Sequence, residues 1–341
     1  MCQEIHTIGR VAGGGGTVWS GDSRLGLARD FLPFRLVLIY SSSLTFMSAQ
    51  FGTVALIGKP DSDHIAETLS ELHAYLTGRG LRVLVESECA PFIRGGAPID
   101  VAPLARLGEV CDVAVVLGGD GTLLSAARAL AVFDIPLIGV NLGRLGFLVD
   151  ISPADITTHL DAILNGQFSE ERRFMLGASI IREEQVMYRQ TAINEVVVHR
   201  WNASSMIEIE TSINGAYLNT QRSDGLIVST PTGSTAYALS AGGPILSPHL
   251  QAIVLAPINP HTLTNRPIVV DSESVIGVAF RPSRQFSAQV VCDNVCSPDV
   301  AITDRIEIRK EPRPFRLLHP LNYDFFEILR AKLNWSSGYR S

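Results

Sequence analysis

Val113-Ala114-Val115-Val116-Leu117-Gly118-Gly119-Asp120-Gly121-Thr122-Leu123-Leu124-Ser125-Ala126-Ala127-Arg128-Ala129-Leu130 is the stretch that decides the fold. Val113 to Leu117 is apolar and mostly β-branched, which reads as a buried strand. Leu123 to Leu130 reads as a helix. Between them lies a strand-to-helix turn with three glycines and one carboxylate. Glycine lets the backbone take φ > 0 and approach a ligand closely. Free N–H groups at a helix start attract phosphate. An aspartate among them would repel phosphate, so two readings of Asp120 stand side by side. It caps the helix, or it has a chemical task such as taking a proton or steering a metal.

The same alternation extends outward from this turn. Val54-Ala55-Leu56-Ile57 reads as a buried strand ending at Gly58. Ile65, Leu69, Leu72 and Leu76 repeat at helical spacing, and Gly78 and Gly80 end that helix. Leu81 to Val85 is a second strand, Ala90 to Gly96 a loop, and Pro136 to Val140 a further strand. Asn141-Leu142-Gly143-Arg144-Leu145-Gly146-Phe147 follows the last of these. Strands alternating with helices predict a parallel sheet covered on both faces. Ligands bind beyond the carboxyl ends of such strands, so the two glycine-bearing turns are expected to share one edge. After a helix around Ala154 to Leu164 the pattern changes to short strands: Met206 to Glu210, Val275 to Phe280, Ser287 to Val291 and Arg305 to Arg309. Asn214-Gly215 is a strong hairpin signal. Leu321 to Trp335 reads as a helix with Phe325, Leu329 and Leu333 on one face. The pattern predicts an α/β domain over 50–149 and a β-rich domain over 150–317.

Composition bounds the function. The chain has 341 residues, 46% hydrophobic and 18% charged, with a formal charge of −6. That is enough core for two domains. An acidic chain without a long basic run argues against a nucleic-acid surface. No apolar run is long enough to cross a bilayer as a helix. The five cysteines are odd in number and scattered, which suits a reducing cytoplasm better than a disulfide framework. Cys292 and Cys296 have no second Cys or His pair nearby to complete a zinc set. Residues 1–46, with the run Gly13 to Gly16, lack a clean period, and Met47 stands just before the first strand. They are expected to be a disordered or non-native leader. His64, His73 and His159 fall in helix patterns and read as solvated. His261 lies in a Pro-flanked turn and reads as a candidate nucleotide contact.

Two further constellations carry chemistry. Asn194-Glu195 precedes Val196-Val197-Val198. Its donors and acceptors suit ribose hydroxyls or an amide, or it is a plain turn. The second runs Gln221-Arg222-Ser223-Asp224-Gly225-Leu226-Ile227-Val228-Ser229-Thr230-Pro231-Thr232-Gly233-Ser234-Thr235-Ala236-Tyr237. The Thr230 to Ser234 hydroxyls, Thr232 among them, would be useful around a nucleotide. Tyr237 either stacks a base or fills the core. Arg222 and Asp224 could form a surface ion pair worth little.

Together with Ala241-Gly242-Gly243-Pro244-Ile245-Leu246, Pro260-His261-Thr262-Leu263 and the ending His319-Pro320 to Asn334-Trp335, these motifs closely resemble bacterial NAD kinases. The likeness covers about Gly52 to Trp335. It implies a small α/β domain plus a β-rich domain, with the C-terminal segment 318–336 returning to the first. It also implies phosphoryl transfer from ATP to the 2′-hydroxyl of the adenosine ribose of NAD. By that likeness Asp120 is the catalytic base. Gly118, Gly119, Gly121 and Thr122 form the turn that holds ATP phosphates, with Gly121 also contacting the dinucleotide. Asn194, Glu195, Arg222 and Asp224 would hold NAD, and Thr235, Ala236, Tyr237 and Ser240 would form the adenine and ribose wall. Mg2+ would arrive with ATP, without a dedicated protein cage. A cytoplasmic homodimer or homotetramer is expected.

Two positions depart from the family. Ser205 stands where many relatives carry a basic residue, with Arg200 as a possible substitute. Asn294 stands where glutamine is frequent, and its amide could serve the same bond. Two other readings remain open: a diacylglycerol-type lipid kinase, which shares the first motif, and a non-catalytic dinucleotide-binding regulator.

Overall fold

The structure is a computed structural model and describes residues 51–58, 63–95, 98–143, 145–201, 206–282 and 286–335. The leader 1–46 and Ser205 lie outside the described residues. The first part of the chain runs β1 (Thr53–Gly58), α1 (Asp63–Gly78), β2 (Arg82–Glu86), β3 (Asp100–Ala102), α2 (Leu104–Val110), β4 (Val113–Gly118), α3 (Asp120–Leu130) and β5 (Pro136–Asn141). These five strands pair in parallel in the order β3-β2-β1-β4-β5. Period-two alternation along β4 sends its side chains to opposite faces. Ala114 and Val116 pack with Leu123 and Ala127 of α3. Val115 and Leu117 pack with Leu69 and Leu72 of α1. With both faces covered, β4 is apolar and buried throughout.

After α4 (Ile156–Leu164) and β6 (Ser169–Arg173), the chain builds the β-rich part. It runs β7 (Leu176–Arg182), β8 (Gln185–Ala192), β9 (Glu195–Arg200), β10 (Ile207–Ile213), β11 (Ala216–Ser223) and β12 (Gly225–Ser229). There follow α5 (Tyr237–Ser240), β13 (Ala252–Ile258), β14 (Ile268–Asp271), β15 (Ile276–Phe280), β16 (Ala288–Cys292), β17 (Val295–Cys296) and β18 (Arg305–Lys310). Two antiparallel sheets result, β11-β10-β15-β18-β7-β8 and β14-β13-β12-β9-β16-β17. They share one apolar core, where Ile209, Val278 and Ile306 of the first meet Val196, Val228 and Val290 of the second. The hairpin expected at Asn214-Gly215 joins β10 to β11, both residues having positive φ (+52° and +79°).

The chain then returns. β19 (Phe315–His319) pairs in parallel with β5 and antiparallel with β6, completing a seven-stranded first sheet. That sheet thus draws strands from outside 50–149 and 318–336. α6 (Phe325–Leu333) follows, with Ile328 and Leu329 buried and Asp324 capping its start by accepting from the Phe326 N–H. At this junction His319 Nδ1 meets Asp150 Oδ2 at 2.9 Å and Arg173 pairs with Glu171 at 2.6 Å. Tyr323 stacks on His319 at 3.8 Å. His73, read as solvated, is instead buried within α1.

Candidate active site

The turn between β4 and α3 is shaped by its glycines. Gly118 has φ +150°, and a Cβ there would lie 2.6 Å from Thr122 Oγ1. Gly119 is the residue that precedes the helix, and the N–H groups of Thr122 and Leu123 both donate to its carbonyl. Asp120 is the first helical residue, so the capping reading does not hold. Its carboxylate turns to the loop after β5. Oδ2 accepts from Phe147 N–H at 2.9 Å, and Oδ1 accepts from Leu148 N–H at 3.0 Å and Val149 N–H at 3.3 Å. The two glycine-bearing turns therefore share one sheet edge, joined through this side chain. Gly146 makes the approach possible, because a Cβ there would collide with Asp120 Oδ1.

One cavity borders the turn, and a second adjoins the first at Asn294. A cleft of about 710 Å³ is walled by Gly119, Gly121 and Thr122 on one side and by Gly58, Glu86 and Glu88 on another. A second cavity of about 460 Å³ is walled by Glu195, Arg200, Asp224, Tyr237 and Asn259. Asn294, an exposed residue in the β16–β17 turn, borders both. Asp120 walls neither, being turned to the 147–149 backbone. Among the described residues, no group of three or more His, Cys, Asp or Glu is placed to hold a metal ion.

The turn at Asn194-Glu195 is built around a residue from elsewhere in the chain. Asp293 Oδ1 accepts from the N–H groups of Asn194 (2.8 Å) and Glu195 (3.3 Å). Its Oδ2 accepts from Ile193 N–H (3.0 Å) and from the Arg128 guanidinium (2.8 Å). Burial, and then the neighbouring Asp293 carboxylate, push the Glu195 carboxyl up to about 8, against the Tyr237 N–H that pulls it down. Glu195 Oε2 is buried without a hydrogen-bond partner.

The hydroxyl-rich run is folded inward. Thr230 Oγ1 donates to the Ile193 carbonyl at 2.6 Å and Ser229 Oγ to the Asn194 carbonyl at 3.2 Å. Thr235 Oγ1 donates to the Thr232 carbonyl, and Thr232 is buried. This run braces the Asn194 turn, while Tyr237 at its end walls the second cavity. Ala236 is half-buried and Ser240 exposed. The ion pair read between Arg222 and Asp224 does not form. Asp224 pairs with Arg200 at 2.7 Å and accepts from Asn259 Nδ2 at 2.9 Å, while Arg222 is exposed. His261 is exposed and outside both cavities, its N–H donating to the Arg222 carbonyl. The residues missed from sequence are Asp293, Arg128 and Gly146. Only Gly146 carried a local signal, its place in a second glycine-bearing turn.

Comparisons with known proteins follow the same division. Residues 100–168 match the family described as ATP-NAD kinase N-terminal domain, and residues 193–320 the ATP-NAD kinase C-terminal domain. The chain is 60% identical over 291 residues to the NAD kinase of Methylococcus capsulatus, spanning 85% of this chain and 100% of that one. The chain belongs to the NAD kinase family. It is also 48% identical to the NAD kinase of Aeromonas salmonicida, over 85% of this chain and 99% of that one. An NAD kinase structure from Archaeoglobus fulgidus in complex with ATP superposes with TM-score 0.64 at 28% identity, covering 83% of this chain and 98% of that one. Yeast NADH kinase complexed with NADH shares the fold, with TM-score 0.77 at 24% identity over 85% and 90% of the two chains. The parallel α/β and antiparallel β-rich parts seen here are thus those of NAD kinases. Membership in this family displaces the lipid-kinase reading.

Proposed function

We propose that this NAD kinase transfers the γ-phosphoryl group of ATP to the 2′-hydroxyl of the adenosine ribose of NAD, with Asp120 as the base. The observation that carries this reading is the carboxylate at the head of α3, fixed by three backbone N–H groups and placed in the chain between Gly119 and Gly121, which wall the first cavity. A carboxylate offers about four lone-pair sites, and Oδ2 accepts one N–H, leaving it able to take a hydroxyl proton. Phosphoryl transfer asks mainly for positioning and charge neutralisation. The Gly119 to Thr122 backbone at the helix start suits the donor phosphates. The second cavity, with Glu195, Tyr237 and Asn294, suits the dinucleotide. Arg200 reaches that cavity and would supply the basic contact that the family places near Ser205.

Magnesium borne on the donor phosphates would neutralise their charge. The carboxylate oxygens of Glu86 and Glu88 on the cleft wall are of the donor type it takes, through its retained waters. We also infer a cytoplasmic homodimer or homotetramer. The described cysteines are free thiols, in keeping with a reducing compartment. No helix among the described residues is long and apolar enough to cross a membrane.

Incubation with ATP, magnesium and NAD tests the reading. NADP should form, and its formation should require ATP. Absence of NADP, or phosphorylation of diacylglycerol in its place, would overturn it. Sedimentation of the purified protein as a monomer would refute the oligomer.

A further inference from the structure

The proton-accepting aspartate and the dinucleotide turn sit on different parts of the molecule, and the interface between those parts is largely apolar. Met175 and Ile193 pack into the same cluster as Leu123 and Ala127 of α3. Apolar burial holds two bodies together but is non-directional, so it leaves their register open. A buried ion pair beside α3 crosses the same boundary. Arg128, in the last turn of α3, meets Asp293 at 2.8 Å, with side chains only 17% and 2% exposed. Arg128 lies eight positions beyond Asp120, about 12 Å along the helix axis. One end of α3 is thus pinned to the 147–149 loop through Asp120, and the other to Asp293.

Asp293 is itself committed to the dinucleotide turn. Its two oxygens accept four N–H donors: the amides of Ile193, Asn194 and Glu195, and the Arg128 guanidinium. Its own N–H donates to the Glu195 carbonyl at 3.0 Å. Its φ of +49° holds the carboxylate against that turn, a conformation aspartate adopts more readily than most residues. A rigid helix therefore joins the base at one end to the acceptor-holding turn at the other, through a single carboxylate.

We propose that Arg128 and Asp293 are positioning residues that set the register of the bound dinucleotide against Asp120. This rests on the roles given above to Asp120 and to the Asn194-Glu195 turn. Arg128 touches neither substrate in this scheme. It acts through Asp293, and Asp293 through the backbone of the turn. Removing Arg128 leaves each half of the site intact and frees their relative placement, and a displacement of about 1 Å can cost ~100-fold in rate.

The test compares Arg128→Met, Arg128→Lys, Asp293→Asn and Asp120→Asn with the wild type, each assayed well below its own unfolding midpoint. Arg128→Met should lower kcat roughly tenfold to a hundredfold while the NAD dissociation constant, measured without ATP, stays within about threefold. Arg128→Lys keeps the charge without the fork and should recover part of the rate. Asp293→Asn should lose both rate and NAD affinity. Its amide oxygen serves one side only: kept on the Ile193 N–H and the Arg128 guanidinium, it turns the NH2 to the Asn194 and Glu195 amides, which should exchange faster with solvent. Wild-type kcat in both Arg128→Met and Arg128→Lys would overturn the proposal. So would a rate loss in either variant matched by its unfolded fraction. If Arg128→Met does not fold, the split between rate and affinity is read in Arg128→Lys. An active Asp120→Asn would instead sink the reading of the site itself. An inactive Asp120→Asn beside an unaffected Arg128→Met would sink only the positioning role.

Discussion

At Asp120, three amides engage the carboxylate, one on Oδ2 and two on Oδ1. Asp120→Asn can present an oxygen to one side only, so at least one of these N–H groups faces an NH2. An unsatisfied half-buried donor costs about 1–3 kcal/mol, and denaturant unfolding should show a loss in that range with the fold retained. Glu195 is the counterpart carboxyl, buried beside Asp293 and pushed up to about 8. A folded value raised above the usual 4.5 means the folded state holds its proton longer than the unfolded chain. Its contribution to stability is full below about pH 4.5 and is lost as pH rises through about 8. Glu195→Gln keeps the neutral shape and should remove that slope. Parallel urea titrations at about pH 6 and pH 9 should show wild type losing more stability than the variant. Equal losses would refute the neutral state of Glu195.

At the scale of elements, the loop from Leu145 to Val149 is what converts a strand-to-helix turn into a site. Gly146→Ala would drive a methyl into Asp120 Oδ1. The carboxylate must then shift, and a kcat loss of roughly tenfold to a hundredfold is expected with folding preserved. An alanine variant with full activity would show that the carboxylate tolerates displacement. What could be read in advance follows the same logic. β4 and α3 were legible because the apolar period changes from two to 3.6 across Gly118–Thr122, and the Asn214-Gly215 hairpin because its turn chemistry is local. Asp293 was not legible. Its acceptor roles lie 98, 99 and 100 residues away in sequence. The Thr230 hydroxyl was expected around a nucleotide, yet it satisfies a carbonyl 37 residues distant, and the Ser229 hydroxyl one 35 residues distant. β6 escaped notice because Ser169-Glu170-Glu171-Arg172-Arg173 has no apolar face. It is held by its antiparallel backbone pairing with β19, across which Glu170 meets Arg316 at 2.8 Å.

Across the whole molecule, the end of the chain is locked to the first sheet by a buried polar cluster of Asp150, Glu171, Arg173, His319 and Tyr323. Burial raises the Glu171 carboxyl, but hydrogen bonds and charge from His319 and Arg173 outweigh it and hold it at about 2. Burial lowers His319, and Asp150 and Glu171 outweigh that, leaving it above its usual 6.5. Stability from Glu171 is therefore present above about pH 4.5 and lost as pH falls towards about 2. Stability from His319 is present below about pH 6.5 and lost as pH rises through its raised folded value. Removing one partner of a buried ion network costs about 3–5 kcal/mol. His319→Gln should show that loss near pH 6, narrowing as pH rises, and a pH-independent difference would contradict the cluster's charge state. These features support one central claim, that a fixed carboxylate takes the proton of a ribose hydroxyl while glycine-turn amides hold the donor phosphates. Single-turnover transfer from Mg·ATP to bound NAD by Asp120→Asn tests it most directly. NAD binding within about threefold of wild type and transfer slowed ~100-fold or more are expected. Transfer at close to the wild-type rate would contradict it.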